Sequence, residues 1–245
     1  MPRYKLLLEY DGTTLVGWQR QAQGVSVQSL LEDAFEKLGE KGAFVQGAGR
    51  TDAGVHATGQ VGHVDLAKEW DPWRLCGGLN AHLKHAPVSV LDAQLVDEDF
   101  HARFSATSRS YMYRLVVRSS PLVLDAHRAW RLPPPFDVAL MQEAAQVLLG
   151  THDFTSFRAS ECQATSPVRT LDRLDVTEEG GDVRFFIEAR SFLHHQVRNF
   201  VGTLQLVARG RMTVAQFTDV LEAKDRRRAG PTAPACGLTL TGVGY

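Results

Sequence analysis

Apolar and polar positions alternate over the first ten residues, with Tyr4, Leu6, Leu8 and Tyr10 set against Lys5, Leu7 and Glu9. That period of two predicts a strand ending at the Asp11-Gly12 turn. The period changes in SVQSLLEDAFEKLG, where Val27, Leu30, Leu31, Ala34, Phe35 and Leu38 recur at helical spacing between a capping Ser26 and a terminating Gly39. An amphipathic helix is expected there. Strands near residues 43–47 and 59–65, a weaker helix around 73–83 containing Gly77-Gly78, and a strand at 88–96 complete a β-α-β-β-α-β order.

The order repeats. Tyr111, Tyr113, Leu115 and Val117 alternate with Met112, Arg114, Val116 and Arg118, and Asp137 can cap a helix running through Leu149 to Gly150. Strands at 168–177 and 182–190 flank an EEGGD hairpin turn, a helix at 195–209 buries Val197, Phe200, Val201, Leu204 and Val207, a shorter helix begins at Thr213, and 238–244 reads as a closing strand. The expected fold is α+β: two tandem ferredoxin-like halves, 1–105 and 106–245, forming a mostly antiparallel mixed sheet with helices on one side. A central catalytic cleft would lie where the halves meet.

Composition narrows the function. With 245 residues and 44% hydrophobic content the chain can bury a full core. No stretch approaches the roughly 18 consecutive apolar residues of a membrane span, and MPRYKLLLEYDG lacks the apolar core of a signal peptide, so a soluble, cytoplasmic protein with no membrane partner is expected. Cys76, Cys162 and Cys236 form neither a disulfide framework nor a CxxC pair. The net charge of −1 gives no bulk attraction to nucleic acid. Any RNA contact must be local, through clusters such as Arg103, Arg109, Arg114 and Arg118 or Arg226, Arg227 and Arg228, which as charge runs alone read as solvated surface.

The most unusual segment is GAGRTDAGVHATGQVGHVD, in which Gly47, Gly49, Gly54 and Gly59 surround Arg50-Thr51-Asp52 between two predicted strands. Such a loop can present one carboxylate at a sheet edge and admit a nucleotide backbone. A turn aspartate bonding its own backbone fits the same residues, and local sequence leaves both readings open. His56 with His63 and the adjacent His194-His195 complete no recognisable ligand spacing, so no metal is expected, and neither a P-loop nor a GxSxG elbow is present.

Seven blocks in order resemble the tRNA pseudouridine synthase A family along the whole chain: EYDGTTLVGWQRQ, SVQ, GRTDAGVHATGQV, DFHARFSATSRSYMYR, GTHDFTSFRA, FLHHQVRNFVGTL and AKDRRRAGPTAPACGL. The resemblance implies that Asp52 is the catalytic nucleophile, that Arg198 pairs with it, and that Tyr111 packs against the target base. It further implies uridines at positions 38 to 40 of the tRNA anticodon arm as substrate, and a homodimer in which one tRNA contacts both subunits. One departure is Gln196, where the family pattern leads us to expect methionine.

Pseudouridine formation breaks N1–C1′, rotates the uracil and joins C5 to C1′, with no net gain or loss of atoms or electrons, so no cofactor is expected. A carboxylate can deprotonate C2′, capture C1′ or add to C6. A nearby guanidinium favours its ionised form. A base must also be turned out of its stack, at a cost of a few kcal/mol that phosphate contacts must offset. Arg50 and Arg20 are the first candidates for that contact, with Arg109, Arg226, Arg227 and Arg228 behind them. A non-catalytic RNA-binding protein on the same scaffold is the main competing reading, and a carboxylate glycosidase the second; the first has no need of Asp52 and the second lacks a clear partner acid.

Overall fold

A computed structural model describes all 245 residues, in ten strands and five α-helices of the α+β class with mostly antiparallel pairing. The chain divides into two compact units, one of residues 1–107 with 239–245 and one of residues 108–238.

The first unit runs β1 (Arg3–Tyr10), α1 (Val27–Lys37), β2 (Gln46–Gly47), β3 (His56–Asp65), α2 (Pro72–Leu83) and β4 (Val88–Val96). This is the expected β-α-β-β-α-β order. β1 pairs antiparallel with both β3 and β4, and β2 adds antiparallel to β3. Alternation in β1 sends Tyr4, Leu6 and Leu8 fully inward, where they join Val27, Leu31 and Phe35 of α1 and Leu75 and Leu79 of α2 in the buried core. Ser26 caps α1 by accepting from the Ser29 N–H at 3.1 Å, and the Ser29 hydroxyl accepts from the Ser26 N–H at 3.1 Å. Asn80 ties α2 to β4, donating to the Val90 carbonyl at 2.8 Å and accepting from the Val90 N–H at 2.9 Å.

The second unit contains β5 (Ser108–Val117), β6 (Trp130–Leu132), α3 (Val138–Gln146), β7 (Gly150–Asp153), β8 (Val168–Glu179), β9 (Asp182–Ala189), α4 (Gln196–Ala208) and α5 (Val214–Ala223). Its strands lie in the order β5-β9-β8-β7, with antiparallel neighbours, and β6 pairs in parallel with β5. Gly180 and Gly181 both take positive φ, 59° and 83°, as a tight hairpin turn between β8 and β9 requires. Phe154, Phe157, Phe200 and Phe217, fully buried, form an aromatic core beneath α4 and α5 with centroid spacings of 5.0–6.4 Å. The last strand, β10 (Leu238–Gly244), differs from the expected close of the second half. It belongs with the first unit, where Thr239 and Leu240 pair in parallel with His56 and Ala57 of β3. No helix is long and apolar enough to cross a membrane.

Candidate active site

In the first unit the chain leaves β2 at Gly47 and re-enters the sheet at His56, and Asp52 lies on the intervening loop, half-buried, with Arg50 exposed beside it. The Val55 N–H bonds back to the Asp52 carbonyl at 3.2 Å across Ala53-Gly54. Gly54 has φ of 80°, which the third position of a type II turn requires.

Neighbouring backbone fixes the loop from outside. The Trp18 N–H donates to the Thr51 carbonyl at 3.0 Å, and a Cβ on Gly17, whose φ is 104°, would stand 2.5 Å from that oxygen. A Cβ on Gly12 would come within 2.1 Å of the Val55 carbonyl oxygen. Glycine is therefore demanded at both positions by close approach to the Asp52 loop. The Gly12 N–H also donates to Nδ1 of buried His56 at 3.1 Å, so His56 anchors the turn after β1 to the start of β3.

A buried polar chain supports the loop from beneath. The Tyr10 and Thr51 hydroxyls are 2.8 Å apart, and Gln60 donates to the Tyr10 oxygen at 3.3 Å and to the Gly49 carbonyl at 2.9 Å. Burial pushes the Tyr10 hydroxyl up to about 12, with the bonds to Thr51 and Gln60 acting the other way, so it stays protonated as part of this frame. Trp18 is core, with Gly47 lying directly under its indole.

Arg20 shares the segment that follows Gly17, and its guanidinium is held by Glu32 at 2.9 Å and Asp33 at 3.0 Å on α1. Two carboxylates of the protein therefore already match the charge of this candidate RNA contact. These three candidates, Arg20, Arg50 and Asp52, belong to the first unit. Tyr111 and Arg198 belong to the second.

Tyr111 is on β5, half-buried, with its ring edge-on to Phe192 at 5.3 Å and 86°. Its neighbour Tyr113 points into the core, donating to the Pro234 carbonyl at 2.9 Å, with its hydroxyl held well above the usual tyrosine range by burial. Arg198 sits in the first turn of α4. The helix starts abruptly: His195 takes φ of 61°, and Gln196 closes the turn by accepting from the Leu193 N–H at 2.7 Å while its own N–H returns to the Leu193 carbonyl at 3.1 Å. A methionine thioether would be only a weak acceptor for that first bond, so Gln196 does more here than fill space.

The segment from Asp225 to Pro234 then fixes Arg198. Nε of Arg198 donates to the Ala233 carbonyl at 2.8 Å. The segment lies so close to α4 that a Cβ on Gly202 would stand 1.7 Å from the Pro231 carbonyl oxygen. Arg226 is turned inward, donating to the Gly230 carbonyl at 2.9 Å and to Asn199 Oδ1 and Thr232 Oγ1 at 3.1 Å each. Thr232 donates to Asn199 Oδ1 at 2.7 Å, and Asn199 donates to the Phe157 carbonyl at 2.8 Å. Arg109, another sequence candidate for RNA, is also buried and donates to the Arg190 carbonyl at 2.6 Å. Arg227 remains outside, paired with Asp225 at 2.7 Å.

Sequence reasoning passed over Tyr10, Gly12, Gly17, Gln60, Asn199 and Thr232 as parts of the site's frame. All six lie inside the blocks that carried the resemblance.

A family model described as tRNA pseudouridine synthase matches residues 7–105 and 144–245. A protein of Paramagnetospirillum magneticum named tRNA pseudouridine synthase A is 60% identical over 245 residues, covering 100% of this chain and 96% of that protein. Proteins with the same name from Afipia carboxidovorans and Azorhizobium caulinodans are 56% and 55% identical over 245 residues, covering all of this chain and 100% and 95% of their own lengths. Likeness of this extent spans the Asp52 loop, Tyr111 and Arg198 alike, and the chain belongs to the tRNA pseudouridine synthase family.

Proposed function

We propose that this chain isomerises uridine to pseudouridine in transfer RNA with Asp52 as the reacting carboxylate, and that its targets are positions 38 to 40 of the anticodon arm. The observation that carries the reading is the construction of the Asp52 loop: a single carboxylate on a frame of close-packed glycine and buried hydrogen bonds, with exposed Arg50 beside it, in a chain of this family. A turn aspartate with no chemistry to perform does not call for such external fixation.

In the reaction the N1–C1′ bond breaks, the uracil turns, C5 bonds to C1′, the C5 proton leaves and N1 regains a proton. Atoms and electrons balance, so side chains suffice. Asp52 assists cleavage by attack at C1′, addition to C6 or removal of a C2′ proton, and each route requires the carboxylate ionised. Arg198 serves as its cationic partner, with Nε held on the Ala233 carbonyl so that the guanidinium is oriented. Tyr111 offers an aromatic face to the base. Arg50 contacts the RNA backbone as the nucleotide leaves its stack, while Arg20, matched by two carboxylates, contributes less. A homodimer sharing one tRNA is the assembly that fits this reading.

Incubation of the protein with an unmodified tRNA transcript, followed by position-by-position mapping of pseudouridine, tests the assignment. Product within the anticodon arm is expected. Product elsewhere with the arm untouched would remove the positional claim, and release of free uracil would favour a glycosidase.

A further inference from the structure

The turn at residues 101–105 holds an aromatic side chain out in solvent on a rigid frame. The His101 N–H donates to Ser105 Oγ at 3.0 Å, and the Ser105 N–H returns to the His101 carbonyl at 2.9 Å. Nδ1 of His101 accepts from the N–H groups of Arg103 at 3.1 Å and Phe104 at 3.2 Å. Fully buried Ala102 is gripped from two sides, its N–H by Nδ1 of His63 at 3.2 Å and its carbonyl by the Tyr245 hydroxyl at 2.8 Å. Arg3 adds a bond to the Phe100 carbonyl at 2.9 Å.

On this frame Phe104 is 70% exposed. Its ring lies over the His101 imidazole at 4.4 Å and 33°, and the Arg103 guanidinium stands 5.5 Å from its centroid. Most of the ring stays in water, so hydrophobic burial does not account for it, and the turn's own hydrogen bonds need no aromatic at this position. A flat aromatic face, backed by a second ring and flanked by a guanidinium, is suited to an unpaired nucleobase, which stacks on the face while the cation meets its π system or its phosphate.

We propose that Phe104, backed by His101 and flanked by Arg103, is a stacking platform for an unpaired base of the RNA substrate, separate from the uridine that reacts at Asp52. The proposal rests on the reading of the chain as an RNA-modifying enzyme. Platform and reaction loop are mechanically joined, because Ala102 of the turn buries with Val61 of β3 and with Ala48, where the chain leaves β2 for the Asp52 loop. A base held on Phe104 would thus register the RNA against the same sheet that carries Asp52.

The test compares wild-type protein with Phe104→Ala, Phe104→Leu and Phe104→Trp, measuring tRNA Kd, KM and kcat, thermal unfolding and uridine conversion in parallel. Alanine and leucine are expected to raise Kd and KM roughly tenfold to a hundredfold, with a smaller change in kcat, while tryptophan restores binding. Unfolding midpoints should stay together, since the ring is not core. Wild-type affinity in Phe104→Ala would overturn the platform, as would full function in Phe104→Leu, which would mark a generic apolar contact such as a protein interface. Wild-type protein that binds tRNA but converts no uridine would overturn the activity instead, and the Kd comparison would still decide the platform.

Discussion

Arg198 and Ala233 are joined in both directions: Nε of Arg198 donates to the Ala233 carbonyl at 2.8 Å, and the Ala233 N–H donates to the Arg198 carbonyl at 3.1 Å. A long, flexible side chain is thereby fixed by a backbone segment, and that segment is itself fixed by Arg226. The arginine-rich block is a positioning device for Arg198.

Arg226→Met should therefore act on turnover rather than on charge. Loss of its bonds takes this donor from the buried Gly230 carbonyl and leaves Asn199 Oδ1 with Thr232, at about 1–3 kcal/mol of stability. Displacing Arg198 by a fraction of an ångström should lower kcat on the order of tenfold to a hundredfold. The salt dependence of tRNA binding should not change. A drop in that slope would show that Arg226 contacts phosphate and would refute the positioning role.

Gly17→Ala is predicted to damage the Asp52 loop from outside it. The new methyl group would meet the Thr51 carbonyl oxygen at 2.5 Å, and φ of 104° is strained for alanine, so a loss of about 1–3 kcal/mol is expected. Activity measured well below the unfolding midpoint should fall as well, because Thr51 must move and Asp52 follows it. Full activity in a folded Gly17→Ala protein would contradict the coupling.

Binding of tRNA should weaken as salt rises, and the two sequence-named arginines of the first unit should differ in their share. Arg50→Ala is expected to reduce the slope of log affinity against log salt by about one. Arg20→Ala should change it much less, since Glu32 and Asp33 already hold that guanidinium. Equal changes in slope would mean that the RNA displaces Arg20 from its carboxylates.

Stability should fall in mild acid through His63. Its side chain is almost fully buried, and burial lowers it to about 4, with His101 and Arg3 adding in the same direction. The folded state thus takes up this proton later than the unfolded chain, for which histidine titrates near 6.5. The contribution is complete above about pH 6.5 and is lost as pH falls towards 4, on the order of 3 kcal/mol across the window. Burial lowers His101 in the same sense. Urea unfolding of wild type and His63→Gln between pH 4 and 7 checks this; parallel pH profiles would contradict it.

Much of the architecture is legible in residue patterning because local and tertiary preferences agree. Ser26, Asp71, Asp137 and Thr213 all cap helices through their side chains. The strand expected at 88–96 occupies those residues. α3 falls short of Leu149 because its last N–H groups, from Val147 to Leu149, bond three residues back instead of four, tightening the final turn before Gly150. β7 has too few residues to show a period, and its ladder with Val168–Leu171 supplies the order that its own sequence does not.

The site was legible in part. The Asp52 loop stood out because glycines crowd it, but the role expected of Asp52 came only from the family resemblance, and the residues that fix the loop lie on other segments and meet it only in the fold. Arg226, Arg227 and Arg228 read as one charge run, but they form a 3-10 turn, whose three residues per revolution send successive side chains to different sides. Arg226 goes inward and Arg227 outward, a division that no charge count contains.

Conversion of uridine by wild type and Asp52→Ala, with tRNA affinity measured alongside, tests the central claim most directly. The account predicts pseudouridine from wild type alone, with affinity retained by the variant, since Asp52 reacts with the RNA and does not hold it. Pseudouridine formation by Asp52→Ala at the wild-type rate would contradict it.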